Sequence, residues 1–515
     1  MEEKIWDVVV VGTGIGGGTI GRALAEKGMS VLFVEKGAAG FRSEATRFAG
    51  EIEDPVARMA RGFWPDRVEA RLDGQTSSFF APLGSGIGGS SVFYAAALER
   101  PERHDLDDVP DRPHPTGGWP VGYSTMQPYF DAAEAMYHVC GTPDPISDVF
   151  CPSLAAPPPM PPGDAAIMNR LRANGLHPYH LHTAMRYLEG CRECRGNKCP
   201  LPCKMDGRSA GVEPAVATGR AEVLDRCEVT RILTDGEKVT GVQAMRSGQV
   251  ITIAARRVVL AAGALSSPRL LMVSGVKDRS GLIGRNLMFH LNEMFAIWPR
   301  RSESFDKPSK SIGFRDLYHV DGQRLGMVQA MGLDARYGEI VHYLRMWVAR
   351  SAFRNVRLIG ELTRVPALIA AKLLGNAKVF VGLLEDLPLA SNRVTLDPDR
   401  PGQILFEYRL TPELLARRKA FRRLIGRAFR GRRTLFLTHQ PEPNFGHPCG
   451  TLRFGLDPET SVLDPDCQLH GMANFYVTDA SFMPTSMGVN PSLTIAANAL
   501  RVADRILEKK EWSVS

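Results

Sequence analysis

The sequence predicts a mixed α/β fold in two parts: a layer built on a parallel sheet, and a second part with a mixed or antiparallel sheet and helices. Three observations carry this. The chain opens on an apolar strand that runs into a glycine-rich turn and a helix. A second strand-into-helix passage recurs at Gly263. Between residues 295 and 440 the pattern changes to mixed strands with more aromatics and methionines. A chain of 515 residues has length for two domains and a large core. Its 44% hydrophobic and 23% charged content is ordinary for a globular protein. A net charge of +7 is mildly basic; it suits an acidic partner or an anionic membrane surface and does not by itself indicate a nucleic-acid binder.

The first elements are the most specific. In Asp7-Val-Val-Val-Val-Gly-Thr-Gly-Ile-Gly-Gly, four consecutive valines suit a central parallel strand. The turn is Gly12-x-Gly14-x-x-Gly17: Gly12 permits the tight turn, Gly14 lets backbone approach a pyrophosphate, and Gly17 lets the next helix pack close. That helix, about 18–27, aims its N–H groups at the phosphates. A strand over 30–34 ends in Glu35, eighteen residues after Gly17, near the spacing of an acid that holds a ribose 2′-hydroxyl. A carboxylate there disfavours NADP. The order of strand, turn, helix, strand and acid predicts a Rossmann-like dinucleotide site, for FAD or NAD.

Residues 40–80 read as irregular and polar. Then Pro82-Leu-Gly84-Ser-Gly-Ile-Gly88-Gly89-Ser90-Ser91 packs four glycines and three serines into the eight residues from Gly84. Such a loop offers backbone N–H groups to an anion or ring edge, and two glycine-rich loops suit one extended ligand, FAD better than NAD. A helix is expected over 126–139 with Ser124 as its cap. The proline-rich stretch 151–163 reads as a surface connection.

Four of the nine cysteines fall within Cys191-Arg-Glu-Cys194-Arg-Gly-Asn-Lys-Cys199-Pro-Leu-Pro-Cys203. The density points to an iron–sulfur cluster, with a closed zinc site, local disulfides or free thiols as alternatives. Strands follow over 228–233, 239–244 and 257–262; Val229 on the first joins the expected cofactor-binding set. Further strands are expected over 377–384 and 392–397. The arginine-rich helix over 414–433 reads as a solvated basic face, with docking to an acidic partner or membrane as the sharper alternative.

The C-terminal part holds the candidate chemistry. His447 sits in a loop rich in glycine and proline, Asp479-Ala480 ends a strand, and Asn490-Pro491 opens a final helix over 493–507. Taken together, the motifs resemble the glucose–methanol–choline (GMC) oxidoreductase family of FAD enzymes. The resemblance rests on Gly12-x-Gly14-x-x-Gly17, the loop from Gly84 to Ser91, Gly263-Ala-Leu-Ser-Ser-Pro with Ser274-Gly275, His447-Pro-x-Gly-Thr, and Val477-x-Asp479-Ala480 through Asn490-Pro491. Ser391-Asn-Arg-Val-Thr-Leu resembles a strand of that family's substrate domain. The resemblance implies FAD, oxidation of an alcohol to a carbonyl by hydride transfer to flavin, His447 as base and Asn490 as its partner. Asn490 and Pro491 join Gly12, Gly14, Gly17, Glu35, Gly84, Gly88, Gly89, Ser90, Val229, Gly263, Asp479 and Ala480 as cofactor-binding residues.

The cysteine run resembles that of bacterial members whose [3Fe-4S] cluster relays electrons from flavin, which makes Cys191, Cys194, Cys199 and Cys203 the expected metal ligands. The family often has Asn or His soon after Gly-Gly-Ser-Ser; here Phe93-Tyr94 stand there, so FAD is expected to bind noncovalently. Lys277 stands where a glycine often ends the second signature. The expected division is a discontinuous FAD-binding domain over 1–125, 205–294 and 441–515, a substrate domain over 126–190 and 295–440, and a cysteine-rich loop over 191–204.

The implied partners are a small alcohol, such as a sugar or polyol, and an electron acceptor such as a cytochrome or quinone. An oxidase that makes hydrogen peroxide and a lyase that keeps FAD for structure are the competing functions. The N-terminus shows no basic segment followed by an apolar run, and no stretch of about 18 apolar residues occurs. The expectation is a cytoplasmic protein with no transmembrane segment, with export beside a signal-bearing partner as the alternative.

Overall fold

The computed structural model describes residues 4–42, 54–300, 309–332, 356–375 and 377–509, with single positions between 340 and 351. Its first sheet is five-stranded, in the order Phe475–Val477, Val258–Leu260, Val8–Val11, Val31–Val34, Ala221–Leu224, and every neighbouring pair is parallel. The four valines of Val8–Val11 hold an interior position, paired on both sides and buried. β-Branched side chains suit a strand covered on both faces. The helix Ile15–Glu26 packs against Ser492–Glu508, which packs in turn against Tyr123–Met136. At Gly17 a Cβ would lie 2.1 Å from the Gly12 carbonyl oxygen, so only glycine lets this helix start so close to its strand. A three-stranded antiparallel sheet, Cys227–Asp235, Lys238–Arg246 and Gln249–Ala254, is attached.

The second part is built on a six-stranded antiparallel sheet in the order Thr434–Phe436, Leu291–Ile297, Lys378–Leu384, Val328–Ala330, Ile312–Phe314, Tyr179–His180. Alternation along its strands separates two faces. Leu291, Phe295, Ile312, Val328 and Phe380 share one apolar cluster with Leu414, Phe421 and Ile425 of the helix Pro412–Ala428. The intervening residues Asn292, Gln329, Val381 and Leu383 line a cavity. Thr411 caps that helix, its Oγ1 accepting from the Leu414 N–H at 3.1 Å, and Pro412 opens it.

Several elements differ from expectation. Residues 55–79 are structured: a helix Pro55–Ala60, then a hairpin Val68–Leu72/Gln75–Phe79. The hairpin turns at Asp73-Gly74, both at positive φ, a pairing that favours tight hairpins. Its first strand pairs with Leu405–Tyr408, so part of the 1–125 segment completes a sheet with residues expected in the substrate domain. Conversely, Tyr123–Met136 packs on the final helix of the FAD-binding part, although 126–190 was assigned to the substrate domain; Tyr137 hydroxyl meets Thr19 Oγ1 at 2.7 Å. That helix begins one residue before Ser124, with Gly122 as its cap, because Asp107 accepts from the Tyr123 N–H at 2.8 Å. The arginine-rich helix is tied inward. Arg417 donates to the Glu385 carbonyl at 2.7 Å, and Arg418 and Arg422 both pair with the buried Glu293. Neither a solvated basic face nor a docking surface describes those three side chains.

Candidate active site

A cavity of about 1230 Å³ is lined from both parts of the fold. Pockets for one small ligand run to about 300–1,000 Å³, so this one has room for a dinucleotide and a substrate together. Gly12, Gly14 and Glu35 line it from the parallel sheet, and Gly84, Gly89 and Ser90 from the second glycine loop. Val229, Gly263, Asp479, Ala480, Asn490, Pro491 and His447 complete the expected set on its wall. Gly17 and Gly88 lie behind it: Gly17 seats the helix, and Gly88, at φ +92°, turns the second loop.

The two glycine loops are stitched together by groups between them. Thr13 hydroxyl donates to Glu35 Oε2 at 2.6 Å and accepts from the Gly88 N–H at 3.1 Å. Glu35 Oε1 accepts from the N–H groups of Gly37 and Gly86 at 3.0 and 2.9 Å. An ionised carboxylate has about four acceptor sites. The Thr13 backbone N–H bonds this carboxylate as well, so its acceptor sites fix the two loops together at the cavity wall. Burial pushes the Glu35 carboxyl up from its ordinary range. Gly14 opens the helix Ile15–Glu26 without a side-chain cap, and a Cβ placed on it would meet nothing within 4 Å. Uncapped N–H groups beside open space on the cavity wall suit a pyrophosphate.

Asp479 plays a different part from the one expected. Its Oδ2 accepts from the Gly263 N–H at 2.8 Å and from Ser267 hydroxyl; its Oδ1 accepts from the Ser481 N–H at 2.9 Å and from Ser481 hydroxyl. All four acceptor sites are taken within the protein. Asp479 therefore holds the Gly263 and Ala480 backbones in place on the cavity wall and has no acceptor site left for the cofactor.

At the other end of the cavity stands a histidine pair. His447 Nδ1 lies 3.2 Å from His290 Nδ1, and His290 Nε2 lies 2.9 Å from the Met487 carbonyl oxygen. A carbonyl only accepts, so His290 carries its proton on Nε2 and presents Nδ1 as an acceptor. His447 must then donate from Nδ1, which leaves its Nε2 as the basic nitrogen. Burial, His290 and the Lys310 ammonium hold His447 well below the ordinary histidine range, and burial pushes His290 down to about 4. Both rings are neutral at pH 7, as the proton arrangement requires. Asn490 shares the cavity wall with His447 and is 92% buried, and its Oδ1 has no protein partner. His290 was not assigned from sequence. Its signal was a lone histidine closing the apolar run Leu287-Met-Phe289.

The cysteine loop borders the same cavity through residues 191–198. It then leads into Gly207, whose Cβ position is 2.7 Å from the Gly14 backbone, so the loop is anchored beside the pyrophosphate turn. The expected metal set does not assemble. Among the described residues no group of three or more His, Cys, Asp or Glu side chains is placed to hold a metal ion, and all nine cysteines are free. Burial and then Cys199 push Cys194 up to about 11, and burial and then Cys191 push Cys203 up to about 12. A different group organises the loop. The buried Lys204 donates to the carbonyls of Val92, Cys194 and Asn197 at 2.6, 3.0 and 2.5 Å. The donor geometry thus fits neither the iron–sulfur nor the zinc expectation for Cys191, Cys194, Cys199 and Cys203.

Family profiles described as GMC oxidoreductase match residues 9–292 and 388–499, the former more than half of the chain. The chain belongs to the GMC oxidoreductase family. It is 27% identical to paromamine 6'-oxidase of Streptomyces fradiae, across 98% of this chain and 92% of that protein. It is 28% identical to 2-methyl-1,2-propanediol dehydrogenase of Mycolicibacterium austroafricanum, across 97% and 95%. The fold matches that of pyridoxine 4-oxidase from Mesorbium loti with a TM-score of 0.64 at 20% identity, covering 97% of this chain and 99% of that one. FAD, the flavin cofactor of the family, fits the residues present: an uncapped helix start, two stitched glycine loops, and the Glu35 carboxylate on the cavity wall.

Proposed function

We propose that this enzyme oxidises an alcohol to the corresponding carbonyl, with His447 as the base and Asn490 holding the reacting oxygen. The observation that carries this is the histidine pair: it fixes the proton of His447 on Nδ1 and leaves Nε2 basic beside the unpartnered Asn490 amide. FAD, when bound, supplies the hydride acceptor. His447 Nε2 takes the hydroxyl proton, which makes the oxygen electron-rich and favours departure of hydride from the same carbon. The Asn490 amide N–H donates to the same oxygen, which orients the hydroxyl and leaves its single proton for His447. The resulting imidazolium keeps its Nδ1–H bond to His290, so no rearrangement is needed to hold the charge.

The related proteins include a named oxidase and a named dehydrogenase, and both readings of electron exit share this first half-reaction. No relay step is assigned to the cysteine loop, whose thiols form no ligand group. The test is anaerobic mixing of the FAD-loaded protein with a panel of alcohols. The flavin should bleach with at least one, and His447→Ala should slow bleaching by about 10²–10⁴ with flavin content unchanged. A flavin that stays oxidised with every alcohol, or an unaltered rate in the variant, would remove the proposal. Reoxidation by oxygen with peroxide release, against reoxidation only by an added acceptor, then separates oxidase from dehydrogenase.

A further inference from the structure

Beyond His447 the cavity ends in a pocket whose charge the hydride chemistry does not use. Its floor is one face of the six-stranded sheet. Gln329 faces Val381 across one strand pair and Asn292 faces Leu383 across the next. Lys310 and Arg195, the latter from the cysteine loop, close the pocket beside them.

Lys310 is 96% buried, yet among the described residues no carboxylate pairs with it. Among the described residues its Nζ has hydrogen-bond contacts with the carbonyls of Ala330 and Met331, at 3.4 and 3.5 Å, beyond the usual 2.7–3.2 Å of a good N–H···O bond. Of the nearest charges only Glu99 offsets it, and only in part. Arg195 is itself paired with Glu193 at 3.0 Å. Glu99 is consumed by Arg315 at 2.6 Å, Tyr179 hydroxyl at 2.7 Å and the His182 N–H at 2.9 Å. Burial and Arg195 push the Lys310 ammonium down to about 7, the direction expected of a buried cation without a counter-charge. A buried charge is ordinarily paired. The pocket also holds unpartnered polar atoms of both kinds: Arg195 Nε as a donor, and Gln329 Oε1 and Asn292 Oδ1 as acceptors. One uncompensated positive charge beside acceptors for hydroxyl groups matches a monoanion that also carries hydroxyls.

We propose that the substrate is a hydroxylated monocarboxylate, its carboxylate received by Lys310 with Arg195 and its further hydroxyls donating to Gln329 and Asn292. The proposal rests on the alcohol-oxidation reading of the same cavity and narrows it to a substrate class. A monocarboxylate is favoured over a phosphate ester because the pocket offers one unbalanced charge, not two. Lys310 thereby becomes the residue that sets specificity, and neutral polyols of equal length become the discriminated class.

The test reads binding without turnover. FAD-loaded His447→Ala protein is titrated anaerobically by calorimetry with aldonates of three to six carbons and with the alditols of the same lengths. The aldonate of the best-binding length should bind about tenfold or more tightly than its alditol, the scale of one hydrogen bond to a charged group. Adding Lys310→Met should abolish that preference while alditol binding stays within about threefold, and Lys310→Arg should keep a preference of the same sign. Retained flavin content shows that the variants fold. Equal binding of the two series, a preference that survives Lys310→Met, tighter binding of glycerol phosphate than of glycerate, or no aldonate binding would each overturn the proposal. Flavin bleaching by alcohols is a separate readout, so the substrate class can fail while the alcohol-oxidation reading stands, and the reverse.

Discussion

His290 touches no reacting atom in the proposed mechanism, yet it decides which nitrogen of His447 is the base. His290→Leu removes the acceptor for His447 Nδ1–H and leaves the Met487 carbonyl without its donor. Losing one such bond costs about 0.5–1.5 kcal/mol, so flavin reduction should slow by about 2- to 10-fold, mainly in kcat. An unchanged kcat in stopped-flow reduction would show that His447 is oriented by something else. The pH profile tests the same pair. A depressed pKa means that protonation, and loss of the base, comes only at lower pH. The reduction rate should therefore hold its plateau down through pH 6.5, where an ordinary histidine would be half protonated. Lys310→Met removes one of the charges that depress His447, so its acid limb should move to higher pH; a limb near pH 6.5 in the unmodified enzyme would contradict that depression. The places of His447 and Asn490 on the cavity wall were legible in the sequence because each sits in a local motif. His290 and Lys310 were not, because their roles arise only when strands far apart in sequence meet at one cavity.

The cysteine loop shows how an element can be found correctly and read for the wrong chemistry. Thiol density marked residues 191–203 as unusual, but spacing alone could not show that the thiols form no metal-holding group among the described residues, nor that the next residue, Lys204, would organise the loop. Lys204→Met should leave the Val92, Cys194 and Asn197 carbonyls without that donor, at a cost of about 1–3 kcal/mol for each group that water does not reach. The variant should melt lower, and the buried thiols of Cys199 and Cys203 should react with a maleimide faster than in the parent, where Cys191 and Cys194 lead. Equal labelling order and rate in both proteins would mean that the loop is held without Lys204. Other elements follow the same logic. The valine strand and its glycine turn were readable because period and turn chemistry agree. The Asp73-Gly74 hairpin carried a readable turn signal but weak alternation in its strands. The arginines of Pro412–Ala428 looked solvent-facing because their partner, Glu293, lies on a strand more than a hundred residues away.

On the scale of the whole molecule, the cavity exists because separate segments are tied together along it, and Glu35 is the tie that joins the two glycine loops. It links the first glycine turn through Thr13, its own strand end through Gly37, and the second glycine loop through Gly86. Replacing this acceptor by a donor sets an ammonium against the protein donors that hold both glycine loops. Glu35→Lys should therefore lose FAD through a misplaced second loop and the loss of the carboxylate from the cavity wall. A ligand that binds only the folded state stabilises it by about 2.7 kcal/mol when present at a hundred times its Kd. In the parent, added FAD should raise Tm measurably above that of the flavin-stripped protein. In Glu35→Lys that rise should shrink towards zero and the purified protein should be close to colourless. Thr13→Val removes the hydroxyl that bonds Glu35, Gly86 and Gly88 while keeping the carboxylate, and should fall between the two in both flavin content and Tm shift. A Glu35→Lys protein that purifies yellow, with the parent's full FAD-dependent rise in Tm, would show that the two loops are held together without this carboxylate.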